Sequence, residues 1–151
     1  MIEIRPVRGD QAPADVLLAE MVAEIVTMYG PLEDRNAPSA TPAELWAPGG
    51  TYLVVFEDGE AVAGGGIKAH DPGVGEIKRM YVVPAARGRG HARRLLEALE
   101  EAGRSLGLDR LRLDTGPKQP RARALYEGAG YRSIADYNGN YAASFWGEKE
   151  L

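Results

Sequence analysis

The sequence predicts an α/β domain with a mixed central sheet of about seven strands. Between residues 51 and 83, three runs of β-forming residues are separated by short turns, which predicts an antiparallel meander. A strand, a helix and another strand then follow, which favours a parallel pair joined by a right-handed crossover. The C-terminal segment has the turn signals of a hairpin. With 151 residues and 44% hydrophobic content the chain can form one core, so we expect a single domain over residues 1–151.

The N-terminal elements are a strand and a long helix. The strand is predicted at Glu3–Val7. Apolar residues recur at helical spacing over Asp15–Met28, and a Tyr-Gly-Pro segment ends this helix. Residues 31–50 are rich in proline, glycine and small polar residues, which indicates a loop. Within this loop, Thr41 can cap one short helix at about Pro42–Trp46.

The remaining elements follow from turn signals and from a change of periodicity. The meander strands are placed at Thr51–Phe56, Ala61–Ala69 and Glu76–Val83. The β-α-β unit continues with a helix from Gly90 to about Leu106 and a strand at Leu111–Thr115. A helix near Gln119–Ala129 and a hairpin from Tyr131 to about Lys149, turning at Asn138-Gly139, complete the chain.

Composition excludes several classes of protein. The chain has no cysteine, which excludes disulfide scaffolds, thiolate metal sites and a cysteine nucleophile. With two histidines and no ligand spacing around them, we expect no metal site. No N-terminal leader is recognisable, and no apolar run approaches the roughly 18 residues of a membrane span. We therefore expect a soluble, cytoplasmic protein with no membrane partner.

Charge is distributed unevenly along the chain. Residues 1–76 carry 4 basic and 13 acidic side chains, whereas residues 77–151 carry 14 and 9. Between residues 77 and 96 there are six cations and no carboxylate, which points to an anionic ligand. The whole chain has a sequence pI near 5.3, unlike most nucleic-acid-binding domains. A small phosphorylated ligand is therefore favoured, and we expect no nucleic-acid partner. A nucleic-acid-binding module would instead be retained on DNA or RNA, with an affinity that falls steeply as the salt concentration rises.

The strand-to-helix turn from Pro84 to Arg94 is the most informative segment. It holds Gly88 and Gly90 among arginines, and backbone N–H groups at the start of a helix form a ready anion site. A glycine loop beside a solvated helix face is the alternative. The segment lacks the third glycine of a dinucleotide fingerprint, and the chain has no Gly-Lys-Ser/Thr phosphate loop.

Two motifs together resemble the GCN5-related N-acetyltransferase (GNAT) superfamily. Arg87-x-x-Gly90-x-Ala92 follows the strand Glu-Ile-Lys-Arg-Met-Tyr-Val-Val-Pro. Further along the chain stands Ala124-Leu125-Tyr126-Glu127-x-x-Gly130-Tyr131, whose Tyr126 lies 34 residues beyond Ala92. The order of predicted elements over essentially the whole chain is also similar to that fold, the acyl-CoA N-acyltransferase fold. The resemblance implies an enzyme that moves an acetyl group from acetyl-CoA to a primary amine by direct attack in a ternary complex.

The resemblance also implies where acetyl-CoA would lie. Backbone groups of Met80, Tyr81 and Val82 would pair with its pantetheine arm, and the thioester would enter a gap between the two parallel strands. The pyrophosphate would be held by the segment that contains Arg87, Gly88, Arg89, Gly90, His91, Ala92 and Arg93. Many relatives carry asparagine where Lys118-Gln119-Pro120 stands here. Gln119 is expected either to replace it as a cofactor contact or to belong to a helix cap.

Two residues match catalytic positions of the superfamily. Tyr126 stands where a tyrosine commonly protonates the leaving sulfur, and Glu76 where several members keep a general base, acting directly or through water. The alternative for Tyr126 is core packing. The alternative for Glu76 is a strand-end carboxylate paired with Lys78 or Arg79.

The acceptor is a small-molecule or peptide amine in this interpretation. The superfamily draws its acceptor pocket from segments that here contain Tyr29, Glu33, Asp34, Trp46 and Tyr137, a mixture of carboxylates and aromatic rings suited to a cationic amine. An acidic surface with aromatic rings facing the core is the alternative. A catalytically silent acyl-CoA-binding regulatory module is the alternative function, and a homodimer is left open for the assembly.

Overall fold

The computed structural model describes residues 1–31 and 40–151 and confirms the mixed α/β sheet. The strands of this part of the chain are β1 (Ile2–Pro6), β2 (Thr51–Glu57), β3 (Glu60–Asp71), β4 (Val74–Val82), β5 (Arg110–Thr115), β6 (Arg132–Ser133) and β7 (Phe145–Glu150). The helices are α1 (Ala14–Tyr29), α2 (His91–Ser105) and α3 (Pro120–Gly128), with one 3-10 turn at Pro84–Ala86. The seven strands lie in the order β1-β2-β3-β4-β5-β7-β6. Only β4 and β5 run parallel, as the β-α-β unit predicts.

Helices cover both faces of the sheet. Side chains of β2 show this directly, because Leu53 and Val55 pack in the cluster that contains Leu95 and Leu99 of α2. The alternate side chains of β2 pack with Leu17 of α1 on the other face. A strand that is buried on both faces reads as a continuous hydrophobic run, which is why the Thr-Tyr-Leu-Val-Val-Phe sequence is recognisable as a central strand.

Two predicted elements differ from the structure. Residues 42–45 form turns and no helix. Thr41 nevertheless behaves as a cap, since its N–H donates to Glu44 Oε1 (2.9 Å) and its Oγ1 accepts the Glu44 N–H (3.3 Å). The predicted C-terminal hairpin pairs over only two residues of β6, and residues 134–144 form a long connection. Asp136 Oδ1 accepts the N–H groups of Asn138 and Gly139, so a side chain closes this turn where a tight two-residue hairpin was expected.

Three successive glycines in β3 allow close packing against the strand. A Cβ atom on Gly64 would lie 2.3 Å from the Tyr52 hydroxyl, and one on Gly65 would lie 2.8 Å from Met80 Sδ. A Cβ atom on Gly66 would lie 2.8 Å from Leu45 Cδ2. Any side chain at these positions would displace its neighbour, so the glycines place Tyr52 and Met80 directly against β3.

A bulge in β4 lies opposite Gly65. Gly64 pairs with Tyr81 and Gly66 with Lys78, so two residues of β4, Arg79 and Met80, stand opposite one residue of β3. Arg79 adopts a left-handed backbone with φ of +62°, which costs an L-residue about 1–2 kcal/mol. Ile77 and Met80 both pack on the α2 cluster, which regular alternation would forbid for residues three apart.

The same strand parts from its parallel neighbour just before the bulge. Pairing between β4 and β5 is confined to three positions and ends at Glu76 opposite Arg112. Bulges increase local twist and bend the strand that carries them. The β4 bulge therefore accompanies a gap between two strands that are adjacent at their N-terminal ends.

Replacing Tyr52 by phenylalanine is expected to raise the free energy of unfolding by about 1–3 kcal/mol. The Tyr52 side chain is fully buried, and its hydroxyl has no hydrogen-bond partner among the described residues. Tyr131→Phe is the matched control, because the Tyr131 hydroxyl donates to Glu100 Oε2 at 2.9 Å and its loss is expected to destabilise the protein. Urea denaturation of both variants measures the effects; a destabilised Tyr52→Phe protein would contradict the assignment.

Candidate active site

The gap between β4 and β5 has two free backbone edges. Beyond Glu76, the β4 edge that faces β5 has no strand partner in the described part of the chain, and β5 has none on that side beyond Arg112. The backbone of residues 80–82 lies on this free edge, while Tyr81 and Val82 pair with β3 on the other side. Unpaired N–H and C=O groups in a row suit an extended ligand that carries amides.

Glu76 lies where the gap opens, and one of its two oxygens is held by three groups. Oε2 accepts hydrogen bonds from the Tyr137 hydroxyl (2.7 Å) and from Asn138 Nδ2 (2.9 Å), and Lys78 Nζ lies 3.4 Å away. The ion pair between Glu76 and Lys78, which was the alternative to a role for Glu76 as general base, is thus present. Oε1 has no hydrogen-bond partner among residues 1–31 and 40–151. In that part of the chain the Tyr52 hydroxyl is the one side-chain atom that is both fully buried and without a partner, so Oε1 keeps some contact with solvent. The carboxylate is therefore fixed in position with one oxygen available, although the residue is only 2% exposed.

Asn138 bridges the two strands that flank the gap. Its Nδ2 donates to Glu76 Oε2 and, at 2.6 Å, to Asp114 Oδ2 on β5. Its Oδ1 accepts a hydrogen bond from Trp146 Nε1 at 3.0 Å. Asn140 Nδ2 also donates to Asp114 Oδ2, at 3.2 Å. The connection between β6 and β7 is thereby tied across the strands at the place where they part.

The structure brings Tyr137, a predicted acceptor-side residue, into contact with Glu76. Burial raises the pKa of the Tyr137 phenol, and the negative charge of Glu76 raises it further. The hydroxyl therefore stays protonated and donates to the carboxylate. The ring is held by an edge contact with His70, 4.9 Å between centroids, and by the Arg112 guanidinium 5.5 Å from its centroid.

Tyr126 projects from α3 into the core and is 5% exposed. Burial raises the pKa of its phenol, and the charge of Asp114 adds to the increase. Its ring packs edge-on against Tyr131, with centroids 6.0 Å apart, so the packing role is present. Its hydroxyl has no hydrogen-bond partner within the described residues and is not completely buried. A protonated phenol with a free hydroxyl is a suitable proton donor.

The turn from β4 to α2 presents backbone amides at the start of a helix. Gly88 and Gly90 have φ of +81° and +82°, a conformation that favours glycine. α2 begins at His91 with no side-chain cap and no acidic residue in its first turn. The N–H groups of this first turn therefore lie free at the positive end of the helix dipole.

The cationic side chains of this turn are largely engaged within the protein. Arg87 Nη2 lies 2.6 Å from Glu24 Oε2 of α1, and Arg89 Nη1 lies 2.7 Å from Glu57 Oε1 of β2. The buried His91 ring contacts the other oxygen of Glu57. Arg93 pairs with Glu97 along the helix face. These pairs hold the turn in shape, so the amides of residues 88–93 are the groups most available to an anion.

Gln119 acts within the cap region, which was one of its two expected roles. Its Oε1 accepts hydrogen bonds from the Gly116 N–H (3.3 Å), Thr115 Oγ1 (3.4 Å) and the Tyr29 hydroxyl (3.4 Å). Tyr29 also accepts the Lys118 N–H at 3.0 Å. A predicted acceptor residue, Tyr29, therefore joins the end of α1 to the turn between β5 and α3.

The other predicted acceptor residues are placed apart. Trp46 lines an open apolar hollow of about 560 Å³ together with Ile4, Pro6 and the C-terminal half of α2. None of the residues around Glu76 lines this hollow, so the structure does not bring Trp46 together with Tyr137. Glu33 and Asp34 lie outside the described residues.

Sequence reasoning missed three residues that flank the gap. Asp114 ends the alternating Leu-Arg-Leu-Asp pattern of β5, and a carboxylate at a strand end was a usable signal. Asn138 was recognised as a turn residue, but its amide bridge to Asp114 and Glu76 depends on contacts 24 and 62 residues away. The left-handed Arg79 carries no local sequence signal.

Two further features were searched for in the described part of the chain. No helix there is long and apolar enough to cross a membrane. No group of three or more histidine, aspartate or glutamate side chains placed to hold a metal ion was found among those residues.

Comparisons with known proteins agree with this geometry. The Acetyltransferase (GNAT) family profile matches residues 19–131. The uncharacterized N-acetyltransferase YjgM of Escherichia coli K12 is 35% identical over 129 residues, which cover 80% of this chain and 77% of that protein. Among solved structures, a GNAT-family acetyltransferase of Staphylococcus aureus Mu50 has a TM-score of 0.80 at 18% identity, covering 100% and 99% of the chains. The PaiA N-acetyltransferase of Thermoplasma acidophilum, solved in complex with coenzyme A, has a TM-score of 0.72 at 17% identity, covering 100% and 99%.

A strand gap beside an uncapped helix N-terminus, in this fold, defines an acyl-CoA-dependent transferase. The chain belongs to the GNAT family of acetyltransferases. The predictions of the superfamily and of an acetyl-CoA-dependent N-acetyltransferase are confirmed.

Proposed function

We propose that the protein transfers the acetyl group of acetyl-CoA directly to a primary amine within a ternary complex. The observation that carries the proposal is the gap that opens at Glu76, because its free β4 edge leads straight into the uncapped N-terminus of α2. A long molecule that carries amides and several negative charges fits here, because its amides can pair with the free strand edge and its charges can lie at the helix N-terminus. The absence of cysteine from the chain leaves direct transfer as the simplest route.

Acetyl-CoA is proposed to bind mainly through the backbone. The N–H and C=O groups of residues 80–82 would pair with the pantetheine arm. The amides of residues 88–93 would surround the pyrophosphate, while Arg87, Arg89 and His91 act chiefly by holding the turn in place through Glu24 and Glu57. Gln119 would order the turn after β5 and so the far side of the gap.

Tyr126 is the proposed general acid. When the amine nitrogen attacks the thioester carbonyl, the carbon–sulfur bond breaks and the electron pair leaves with sulfur. Tyr126 would give its proton to that thiolate and regain one from solvent. Burial and the charge of Asp114 keep the phenol protonated at neutral pH, so a proton is present when the thiolate forms.

Glu76 is the proposed general base, acting through water. An alkylammonium with a pKa near 10 must lose a proton before it can attack. Glu76 Oε1 is free among the described residues but scarcely exposed, so a water molecule between it and the amine suits the geometry better than direct contact. Tyr137, Asn138 and Lys78 would keep the other oxygen in place.

Coenzyme A release across a panel of amines tests the proposed function. Acceptor-dependent thiol release together with an acetylated product would support it. Tight acetyl-CoA binding without acceptor-dependent release would contradict transfer and favour the silent binding module.

Glutamine in place of Glu76 is expected to lower kcat by about 100-fold at pH 7, since a placed base contributes roughly 10²–10⁴ to rate. The deficit should shrink as pH rises toward the pKa of the acceptor amine, because more amine is then already deprotonated. Glutamine still accepts the Tyr137 hydrogen bond. Full pH–rate profiles of both proteins give the measurement.

Glu97→Gln is the matched control for this substitution, because Glu97 lies exposed on α2 and pairs only with Arg93. It should leave the profile unchanged. A Glu76→Gln enzyme with a normal profile would show that Glu76 is a structural anchor and not the base.

A further inference from the structure

Arg79 stands out among the described cations because its side chain is partly buried without an ion pair or hydrogen bond to a described residue. Among the described lysines and arginines, only Arg121 also lacks both, and Arg121 is exposed to solvent. Burying a charge without a partner is unfavourable unless a ligand later supplies one.

The β4 bulge determines where Arg79 lies. Ile77 and Met80 both pack on the α2 cluster, whereas Lys78 pairs with Gly66 and faces the opposite side of the sheet. Glu76 and Lys78 meet on that side. The charge of Glu44, from the loop before β2, is also felt by Arg79. Glu44 pairs with Lys68, the β3 residue opposite Glu76, so the influence of Glu44 places Arg79 toward the face of the sheet that carries Glu76 and Tyr137.

The neighbouring charges are already matched. Lys78 Nζ pairs with Glu76 at 3.4 Å, and Lys68 Nζ pairs with Glu44 at 3.3 Å. Of these three cations, Arg79 is thus the one without an ion pair to a described residue. Its left-handed backbone is a strained conformation that a non-glycine residue keeps at functional positions more often than elsewhere.

We infer that Arg79 binds the carboxylate of the acceptor, so that the substrate class is an amino acid or a similar small amine bearing a carboxylate. The inference deepens the proposed function and rests on it. A guanidinium presents two parallel N–H groups that match the two oxygens of a carboxylate. Glu44 and Glu76 would oppose the second negative charge of a phosphate, which favours the singly charged group.

This arrangement changes the expected acceptor from a purely cationic amine to a zwitterion. Its ammonium group would lie toward Glu76 and its carboxylate toward Arg79. The two residues are three positions apart on one strand, which separates their Cα atoms by at most about 10 Å. A small amino acid spans such a site more readily than a long polyamine.

Titration calorimetry on the coenzyme A complex of the full chain tests the inference without requiring turnover. The probes are the common L-amino acids and, for each, the corresponding carboxamide. The wild-type protein should bind at least one acid about 10-fold or more tightly than its carboxamide. Arg79→Gln should weaken binding of that acid by about 10- to 100-fold and leave the carboxamide and acetyl-CoA unchanged.

Arg121→Gln is the matched control and should alter neither ligand. Arg79→Gly serves if the glutamine variant fails to fold, since glycine suits the left-handed backbone and also removes the guanidinium. A wild-type protein that binds no acid better than its carboxamide would overturn the inference. So would an Arg79→Gln or Arg79→Gly protein that retains the preference.

Turnover separates this inference from the proposed function. If an acid binds through Arg79 but coenzyme A release never depends on any amine, the proposed transfer fails and the carboxylate site stands. If carboxamides and simple alkylamines are acetylated as efficiently as the acids, the proposed acetyl transfer is supported and the role of Arg79 in binding a carboxylate is contradicted.

Discussion

Aspartate in place of Gly90 is expected to weaken acetyl-CoA binding by at least about 100-fold while leaving the domain folded. Gly90 has φ of +82° and directly precedes the uncapped first turn of α2. An aspartate there puts a carboxylate beside the proposed pyrophosphate site, and like charges 4 Å apart repel by about 4 kcal/mol at a protein surface. Calorimetric titration with coenzyme A measures the loss.

Gly107→Asp controls for the backbone cost alone. Gly107 follows α2 at its other end, has φ of +78° and has open space around its Cβ position. Both variants place a non-glycine residue in a left-handed conformation, so both should lose similar stability. Only Gly90→Asp should lose the cofactor; equal affinities in the two variants would contradict the placement of the pyrophosphate.

Phenylalanine in place of Tyr126 is expected to lower kcat by about 100-fold with acetyl-CoA affinity unchanged. The ring keeps its packing against Tyr131, so only the hydroxyl is removed. Losing a placed proton donor typically costs about 10²–10⁴ in rate. Steady-state kinetics together with the dissociation constant of acetyl-CoA separate a chemical defect from a binding defect.

The pH dependence gives a second readout for this residue. Burial and Asp114 raise the pKa of Tyr126 above its ordinary value near 10, so the phenol stays protonated throughout the usual assay range. A loss of activity between pH 8 and 9 should therefore not be caused by Tyr126 and should persist in the residual activity of Tyr126→Phe. Tyr141→Phe, which changes a tyrosine that is 56% exposed, should leave kcat unaltered. A normal kcat in Tyr126→Phe would reduce Tyr126 to core packing.

The order of elements could be predicted because each has a local signal. The helical spacing of Leu95, Leu96 and Leu99 predicts α2, and these side chains are fully buried in the structure. The parallel pairing of β4 with β5 follows from the intervening helix. The end of that pairing at Glu76 has no local signal, since it depends on a bulge whose partner is a glycine of another strand.

The roles of the arginines show why site prediction was only partial. A cationic turn beside a helix N-terminus predicted an anion site in which arginine side chains add charge to the backbone amides. In the structure Arg87 and Arg89 pair with Glu24 and Glu57, which lie 63 and 32 positions away. Such partners cannot be read from a single sequence, because they are set by how α1 and β2 meet the turn. Gln119 differs in part, since its contacts with Thr115 and Gly116 lie within a few residues, whereas its contact with Tyr29 spans 90 positions.

Binding of acetyl-CoA to the open edge of β4 would also stabilise the folded protein. A molecule that pairs with this edge would complete hydrogen bonding that the described part of the chain leaves unfinished beyond Glu76. A ligand that binds only the folded chain adds about 2.7 kcal/mol of stability when present at 100 times its Kd. The same edge is a surface on which a second polypeptide strand could pair. The concentration of acetyl-CoA would then set both the rate of the enzyme and the fraction of it that stays folded and does not aggregate.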